Sequence, residues 1–146
     1  ATLLVLLGLA VGGAIDGPTP VRLADVLANP QRYDRTLIEV SADFRSALES
    51  YQYLVGPRFQ ESRSFDDLVL LSFSEPLSRG AKSDMERLDR AVRQRRFVRV
   101  TVVGWFRVCA GPCVPAAAPT FRFKLAVTKV VRIETSNTPF DAAGRL

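Results

Sequence analysis

The most constraining feature is the order in which two kinds of periodicity succeed one another. Ile38, Val40, Ala42 and Phe44 alternate with Glu39, Ser41, Asp43 and Arg45, the period-two pattern of a strand with one buried face. Tyr51–Val55 follows after a polar break at Glu49 and Ser50, and Gly56-Pro57 ends it. Leu68–Phe73 is a compact apolar run suited to a buried third strand. The period then changes. Met85, Leu88, Ala91 and Val92 fall on one helical face, and Ser83 with Glu86 has the spacing of a capping box that opens this helix. Glu86 with Arg90 and Asp89 with Arg93 are four apart in the favourable orientation. Two long strand candidates, Phe97–Val108 and Phe121–Glu134, complete the chain's regular part.

Strand, strand, strand, helix, strand, strand is the outline of a five-stranded OB-like Greek-key barrel, mainly β, with a helix between strands three and four. Such barrels bind more often than they transform. A chain of 146 residues, 47% hydrophobic and 24% charged, suits one domain of this kind. We expect that domain over residues 20–134 and a flexible tail over residues 135–146. Ahead of it, Thr19 and Pro20 offer an N-cap and first position for a short helix carrying Leu23, Val26 and Leu27, stopped by Asn29-Pro30.

The sequence Leu23-Ala24-Asp25-Val26-Leu27-Ala28-Asn29-Pro30, then Tyr33-Asp34, then Leu37-Ile38-Glu39-Val40, resembles the opening of small bacterial exported OB-like domains of uncharacterised function. Val103-Gly104-Trp105-Phe106 and the last strand give looser support. In the pattern, a leading helix, an Asn-Pro stop and a Tyr-Asp-Gly turn precede the first barrel strand. Here Arg35 stands where the pattern has Gly. The resemblance implies the fold and carries no catalytic set.

Residues 1–15 begin with an uncharged apolar stretch (Leu3, Leu4, Val5, Leu6, Leu7, Leu9, Val11) ending in Gly12, Gly13 and Ala14. This is the shape of a secretory leader's apolar region and small-residue cleavage site. A buried N-terminal helix and an uncleaved anchor are the alternatives, although the run is shorter than the roughly 20 residues that span a bilayer. The leader reading places the protein in the periplasm or cell envelope, with membrane proximity through this segment.

Cys109 and Cys113 enclose Ala-Gly-Pro, a tight turn able to bring the sulfurs together in an oxidising compartment. Closing so short a loop stabilises by roughly 2 kcal/mol. Without any His or further Cys, a zinc site lacks its usual ligands. We expect a disulfide, no metal and no cofactor.

Charge is unevenly spread. Residues 1–81 carry seven basic and ten acidic side chains, and residues 82–146 carry thirteen basic and five acidic ones. The second half is therefore about +8 and the first about −3, which points to a basic face for nucleic acid, anionic lipid or an acidic glycan. In an exported protein the last two fit better.

Enzyme chemistry has little to build on. The absence of His removes the commonest general base and any Ser-His or Cys-His nucleophile. Asp66 and Asp67 are adjacent, so on an extended chain they point apart and read as solvated loop carboxylates.

The candidate binding surface is the outer face of the last hairpin. With the cysteine loop as its tip, a symmetric register sets Arg107 near Arg122 and Trp105 near Lys124, with Arg99 and Thr101 further along. Val98, Val100, Val102, Phe106 and Val108 then face the core. Arg99, Trp105, Arg107, Arg122 and Lys124 would form a cationic ribbon with one aromatic, suited to an unidentified anionic ligand or envelope protein. The alternative is an ordinary solvated strand face, with Trp105 packed beneath the helix. The basic cluster Arg87, Arg90, Arg93, Arg95 and Arg96 has a structural explanation in helix-dipole and ion pairing. Tyr51 and Tyr53 are expected on the core side, paired across the hairpin with Phe44, rather than stacking a ligand. The functions left standing are an envelope binding module, an assembly subunit of an envelope complex, and a nucleic-acid-binding OB domain.

Overall fold

The computed structural model describes residues 17–47, 51–59, 65–73, 79–94, 96–114 and 121–140. The apolar leader expected over residues 1–15 and the end of the tail, residues 141–146, lie outside the described residues. The strands are β1 (Thr19–Arg22), β2 (Thr36–Ala47), β3 (Tyr51–Val55), β4 (Leu68–Phe73), β5 (Phe97–Val108) and β6 (Phe123–Ser136). The helices are α1 (Leu23–Ala28), α2 (Pro30–Tyr33) and α3 (Arg79–Arg93), and a 3-10 turn at Phe65–Asp67 precedes β4.

Strands β2 to β6 form a closed five-stranded OB-like barrel. The sheet order is β1-β2-β3-β4-β6-β5, and the β2–β5 pairing closes the run from β2 to β5, with β1 left as an edge strand on β2. Closure removes the unpaired edges that an open sheet would present. The period-two positions decide what fills the interior. Ile38, Val40, Ala42 and Phe44 of β2, Val98, Val100, Val102 and Phe106 of β5, and Phe123, Leu125 and Val127 of β6 are all buried in one core. Phe106 and Phe123 stack with ring centroids 5.8 Å apart. The helix α3 adds Leu88 and Ala91 to this core, and α1 adds Leu23 and Val26.

Strand β6 holds two more residues than β5 uses. The register steps from Thr101↔Arg132 to Val102↔Val130, and from Val103↔Lys129 to Gly104↔Val127. Val131 and Thr128 are therefore bulged out of the ladder, and Val131 is exposed. Bulges raise the local twist, as a small closed barrel requires. Beside the second one, Gly104 lies so close to β6 that a Cβ there would stand 2.5 Å from the Ala126 carbonyl oxygen.

Five local expectations are corrected. Thr19 and Pro20 do not start a helix; they belong to β1, which runs parallel to β2 from Thr19↔Ile38 to Arg22↔Ser41. An edge strand tolerates Pro, since a missing N–H costs nothing on its unpaired side, and α1 begins at Leu23 without a side-chain cap. Asn29 does end α1, but Pro30 does not stop helical structure: it opens the short helix α2. Helix α3 starts at Arg79, so Ser83 lies inside it and caps nothing. On α3, among the described residues, the ion pair is Asp84 with Arg87 at 3.6 Å, and Asp89 instead accepts from Gln52 Nε2 at 3.4 Å. Strand β6 also runs on to Ser136, into the stretch read as tail.

The close approach at Gly104 gives a direct test. Gly104→Ala should destabilise the fold by about 1–3 kcal/mol, because the new methyl meets backbone that cannot swing aside. Gly111→Ala, with open space around the added Cβ, should stay within about 0.5 kcal/mol of the parent. Denaturant midpoints measured on the three proteins check both values.

Candidate functional site

The outer face of the barrel is read in rows across β2, β5 and β6. Leu37, Trp105 and Ala126 make one row. The next row toward the cysteine loop pairs Arg107 with Lys124. Arg35, one residue before β2, lies in the turn beside that row: its amide donates to the Phe106 carbonyl at 2.7 Å, and it lines one pocket with Trp105 and Arg107. Rows on one face are two residues apart, about 7 Å along the strands, and strands are about 4.8 Å apart. Three cations thus stand side by side next to an indole.

The turn that delivers Arg35 is pinned at several points. Asp34 Oδ1 accepts from the Val108 amide at 2.8 Å, and Thr36 Oγ1 donates to the Tyr33 carbonyl at 2.7 Å. Arg35 has φ of 62°, and is the non-glycine residue with positive φ among those described. An L-residue there costs about 1–2 kcal/mol relative to its ordinary conformations. The turn therefore keeps the glycine-type geometry of the pattern it resembles, with a guanidinium added. Arg35, Trp105 and Arg107 line a shallow open pocket of about 460 Å³. Trp105 is 47% exposed, so it does not pack beneath the helix.

The five residues expected at the site are not equivalent. The ladder is offset by two residues from the symmetric one: Arg107 faces Lys124 and Trp105 faces Ala126. Arg122 lies beyond β6, with its carbonyl accepting from the Cys109 amide at 3.1 Å, and its guanidinium meets Asp66 at 3.1 Å. Arg99 meets Asp43 at 3.4 Å, and Arg132, opposite Thr101, meets Glu134 at 2.9 Å. Burial pushes the Asp43 carboxyl above its ordinary value, against the pull of Arg99 and Arg45. Thr101 is buried on this face and shares a 2.6 Å hydrogen bond with Ser41. One row beyond Trp105, Val103 has Glu39 on one side and Lys129 on the other. Among the described residues, Arg35, Arg107 and Lys124 form no ion pair with an acid. The five-residue ribbon contracts to Trp105, Arg107 and Lys124, and gains Arg35. The glycine-to-arginine departure was the sequence signal for that fourth residue.

Tyr51 and Tyr53 are not on the core side. Phe44 pairs with Leu54, which puts the tyrosines on the outer face opposite Ala47 and Arg45. There, with Val55, Leu68, Leu70, Cys113 and Val114, they pack around a fully buried Phe121. Its ring lies 5.8 Å from Tyr51 and 5.7 Å from Tyr53. The outer face of strands two and three of an OB barrel is the usual ligand surface, which here corresponds to β3 and β4. The chain's own phenyl ring occupies it. The disulfide Cys109–Cys113 forms, and the Cys113 amide donates to the Phe121 carbonyl at 2.8 Å.

The acidic pair also divides. Asp66 is exposed, but Asp67 is only 7% exposed and is not a solvated loop carboxylate. Its carboxylate accepts from the Arg58 and Phe59 amides, and Gly56 approaches so closely that a Cβ there would stand 2.6 Å from Asp67 Oδ1. Oδ2 has no hydrogen-bond partner among the described residues. Burial raises this carboxyl above its ordinary value of 3.8, with the two amides and the Arg58 charge opposing. Its partners make it a clamp on the turn after β3. Among the described residues, no group of three or more Cys, Asp or Glu side chains could hold a metal ion.

No family model matches the chain, and no curated protein matches it. Among solved structures it is similar to a DUF3299 family protein from Pseudomonas aeruginosa PAO1, with a TM-score of 0.43 and 11% identity, over 78% of this chain and 95% of that one.

The buried Asp67 makes a signed prediction for pH. Its pKa is higher folded than unfolded, so the native state holds the proton longer and stability falls as pH rises from 3.8 through the elevated value. Asp67→Asn removes that slope. Unfolding free energies of parent and variant, compared from pH 3 to 7, should diverge in the variant's favour as pH rises and then run parallel; a constant difference contradicts the assignment.

Proposed function

We propose that this protein is a non-enzymatic binding module of the cell envelope that engages an anionic partner through Arg35, Trp105, Arg107 and Lys124. The observation that carries this reading is selective neutralisation. Arg99, Arg122 and Arg132 are each held by an acid, whereas the cations beside the exposed indole have no acidic partner among the described residues. A guanidinium without a carboxylate partner is available for a ligand's anion, and its planar fork suits carboxylate or phosphate.

The barrel supports recognition in a second way. Trp105, Arg107 and Lys124 stand on paired strands, so little backbone order is left to be lost on binding. The non-enzymatic reading rests on a chain without His and on a site built from cations and an indole, which supplies charge complementarity and no general base. The envelope reading is supported by the disulfide, which oxidising compartments favour, and by the apolar leader pattern of residues 1–15.

Retention on heparin and on vesicles containing anionic lipid tests the proposal. The parent should be retained on at least one, in a salt-dependent manner, and the Trp105→Ala, Arg107→Glu, Lys124→Glu triple variant should elute clearly earlier. Equal elution of two folded proteins removes the site from the reading.

A further inference from the structure

We infer that the occupant of this site is an anionic sugar: a pyranose ring bearing a single carboxylate or phosphate, with its ring on Trp105 and its charge on Arg35 and Arg107. The inference rests on the binding-module reading above and names the ligand class for the same four residues.

The first argument is the extent of the free charge. A nucleic acid or other long polyanion is followed by a track of cations along its backbone. Here the track is interrupted on both sides. Toward the cysteine loop, Arg122 is engaged by Asp66, and in the opposite direction Arg132 and Arg99 are engaged by Glu134 and Asp43. Among the described residues, what remains beside Trp105 is the group Arg35, Arg107 and Lys124, with Lys129 set one row away next to Val103, too few cations to follow a long backbone and enough for one anionic group.

The second argument is the aromatic complement. A splayed nucleobase is held between aromatic or guanidinium planes and read along its edge by hydrogen-bonding groups. The pocket wall offers one indole, half exposed, with Leu37 and Ala126 as its row neighbours. Among the described residues the cation–π contacts are Arg32 over Tyr33 and Arg45 over Phe59, so no cation covers the Trp105 ring. One open indole face on a shallow pocket suits the C–H face of a sugar, whose hydroxyls stay in water. The second aromatic surface of the barrel, between Tyr51 and Tyr53, is filled by Phe121.

The third argument is Arg35 itself. The turn requires a left-handed residue, which glycine supplies without strain. Arginine there brings a charge beside Arg107 and Trp105 in a conformation that disfavours it. Backbone strain of this kind concentrates at ligand sites. The position also allows a variant that separates binding from folding, because Arg35→Gly relieves the turn while deleting the guanidinium.

Trp105 is the chain's single tryptophan, so its emission reports on this site alone. Titration of the full chain with glucuronate and with glucose 1-phosphate should give a saturable change for at least one, and the two arms tell carboxylate from phosphate. Glucose and inorganic phosphate at matched ionic strength should give none. Arg35→Gly and Arg35→Asn should melt at or above the parent's temperature and bind about tenfold or more weakly, as expected for a lost charged hydrogen bond. The inference is overturned if neither anionic sugar changes the emission, if glucose or phosphate alone matches them, if AMP binds more tightly than both, or if Arg35→Gly binds like the parent. A chain that is retained on heparin through Trp105, Arg107 and Lys124 yet fails these titrations keeps the binding-module reading and loses only the ligand class.

Discussion

The pairing of β2 with β5 is the contact on which the rest of the molecule depends. It runs from Thr36↔Phe106 to Phe44↔Val98 and turns a sheet with two edges into a barrel. Because side chains alternate, its register sends Ile38, Val40, Ala42 and Phe44 inward and leaves Leu37 beside Trp105 on the surface. A slip by one residue would exchange the core for the outer face. The Tyr33-Asp34-Arg35 turn guards against that slip, since the Asp34 carboxylate and the Arg35 amide hold β5 just where the pairing begins. Barrel closure and the candidate site thus share one set of hydrogen bonds.

A second packing choice decides where a ligand can approach. Val55, Leu68 and Leu70 point outward from β3 and β4, and without a cover they would form an apolar patch in water. Phe121 and Val114 supply the cover, with Cys113 tied to Cys109 at the end of β5. A barrel that buries its customary ligand face under its own loop must present another surface if it is to bind. The adjoining strip of β5 and β6 carries the exposed indole and cations that, among the described residues, have no acidic partner.

Legibility in the sequence followed the range of the interaction. Alternation is local, so the five barrel strands, the inward residues of β2 and most of those of β5, and the helix between β4 and β5 could be read from spacing alone, whereas β1 could not. The disulfide was legible too, because its partners are four residues apart. Cross-strand relations were not. The β5–β6 ladder depends on two bulges and on interior packing, and a hairpin drawn symmetrically about its cysteine tip misses the true register by two residues near the tip and by four beyond both bulges. Tyr51 and Tyr53 were assigned to the core by pairing them with Phe44; the true partner, Leu54, lies on the opposite face of β3. Likewise, which arginines are neutralised depends on acids far away in the chain: Asp43 for Arg99 and Asp66 for Arg122. Composition shows a basic second half, but only tertiary contacts show which of its charges are met by an acid among the described residues.

This distinction bears on how a weak site becomes specific. Surface cations on a strand are ordinary, and an exposed tryptophan alone proves little. Their coincidence gains weight because the alternatives are closed at the same time. Neighbouring arginines are occupied by acids, the tyrosine face is occupied by Phe121, and a backbone position suited to glycine carries a guanidinium. Each of these could arise from stability alone except the last, since glycine would serve the turn better. On the proposed reading, Arg35 is therefore the residue at which folding and binding make opposite demands, and a ligand, rather than the fold, would account for a guanidinium beside Trp105 and Arg107.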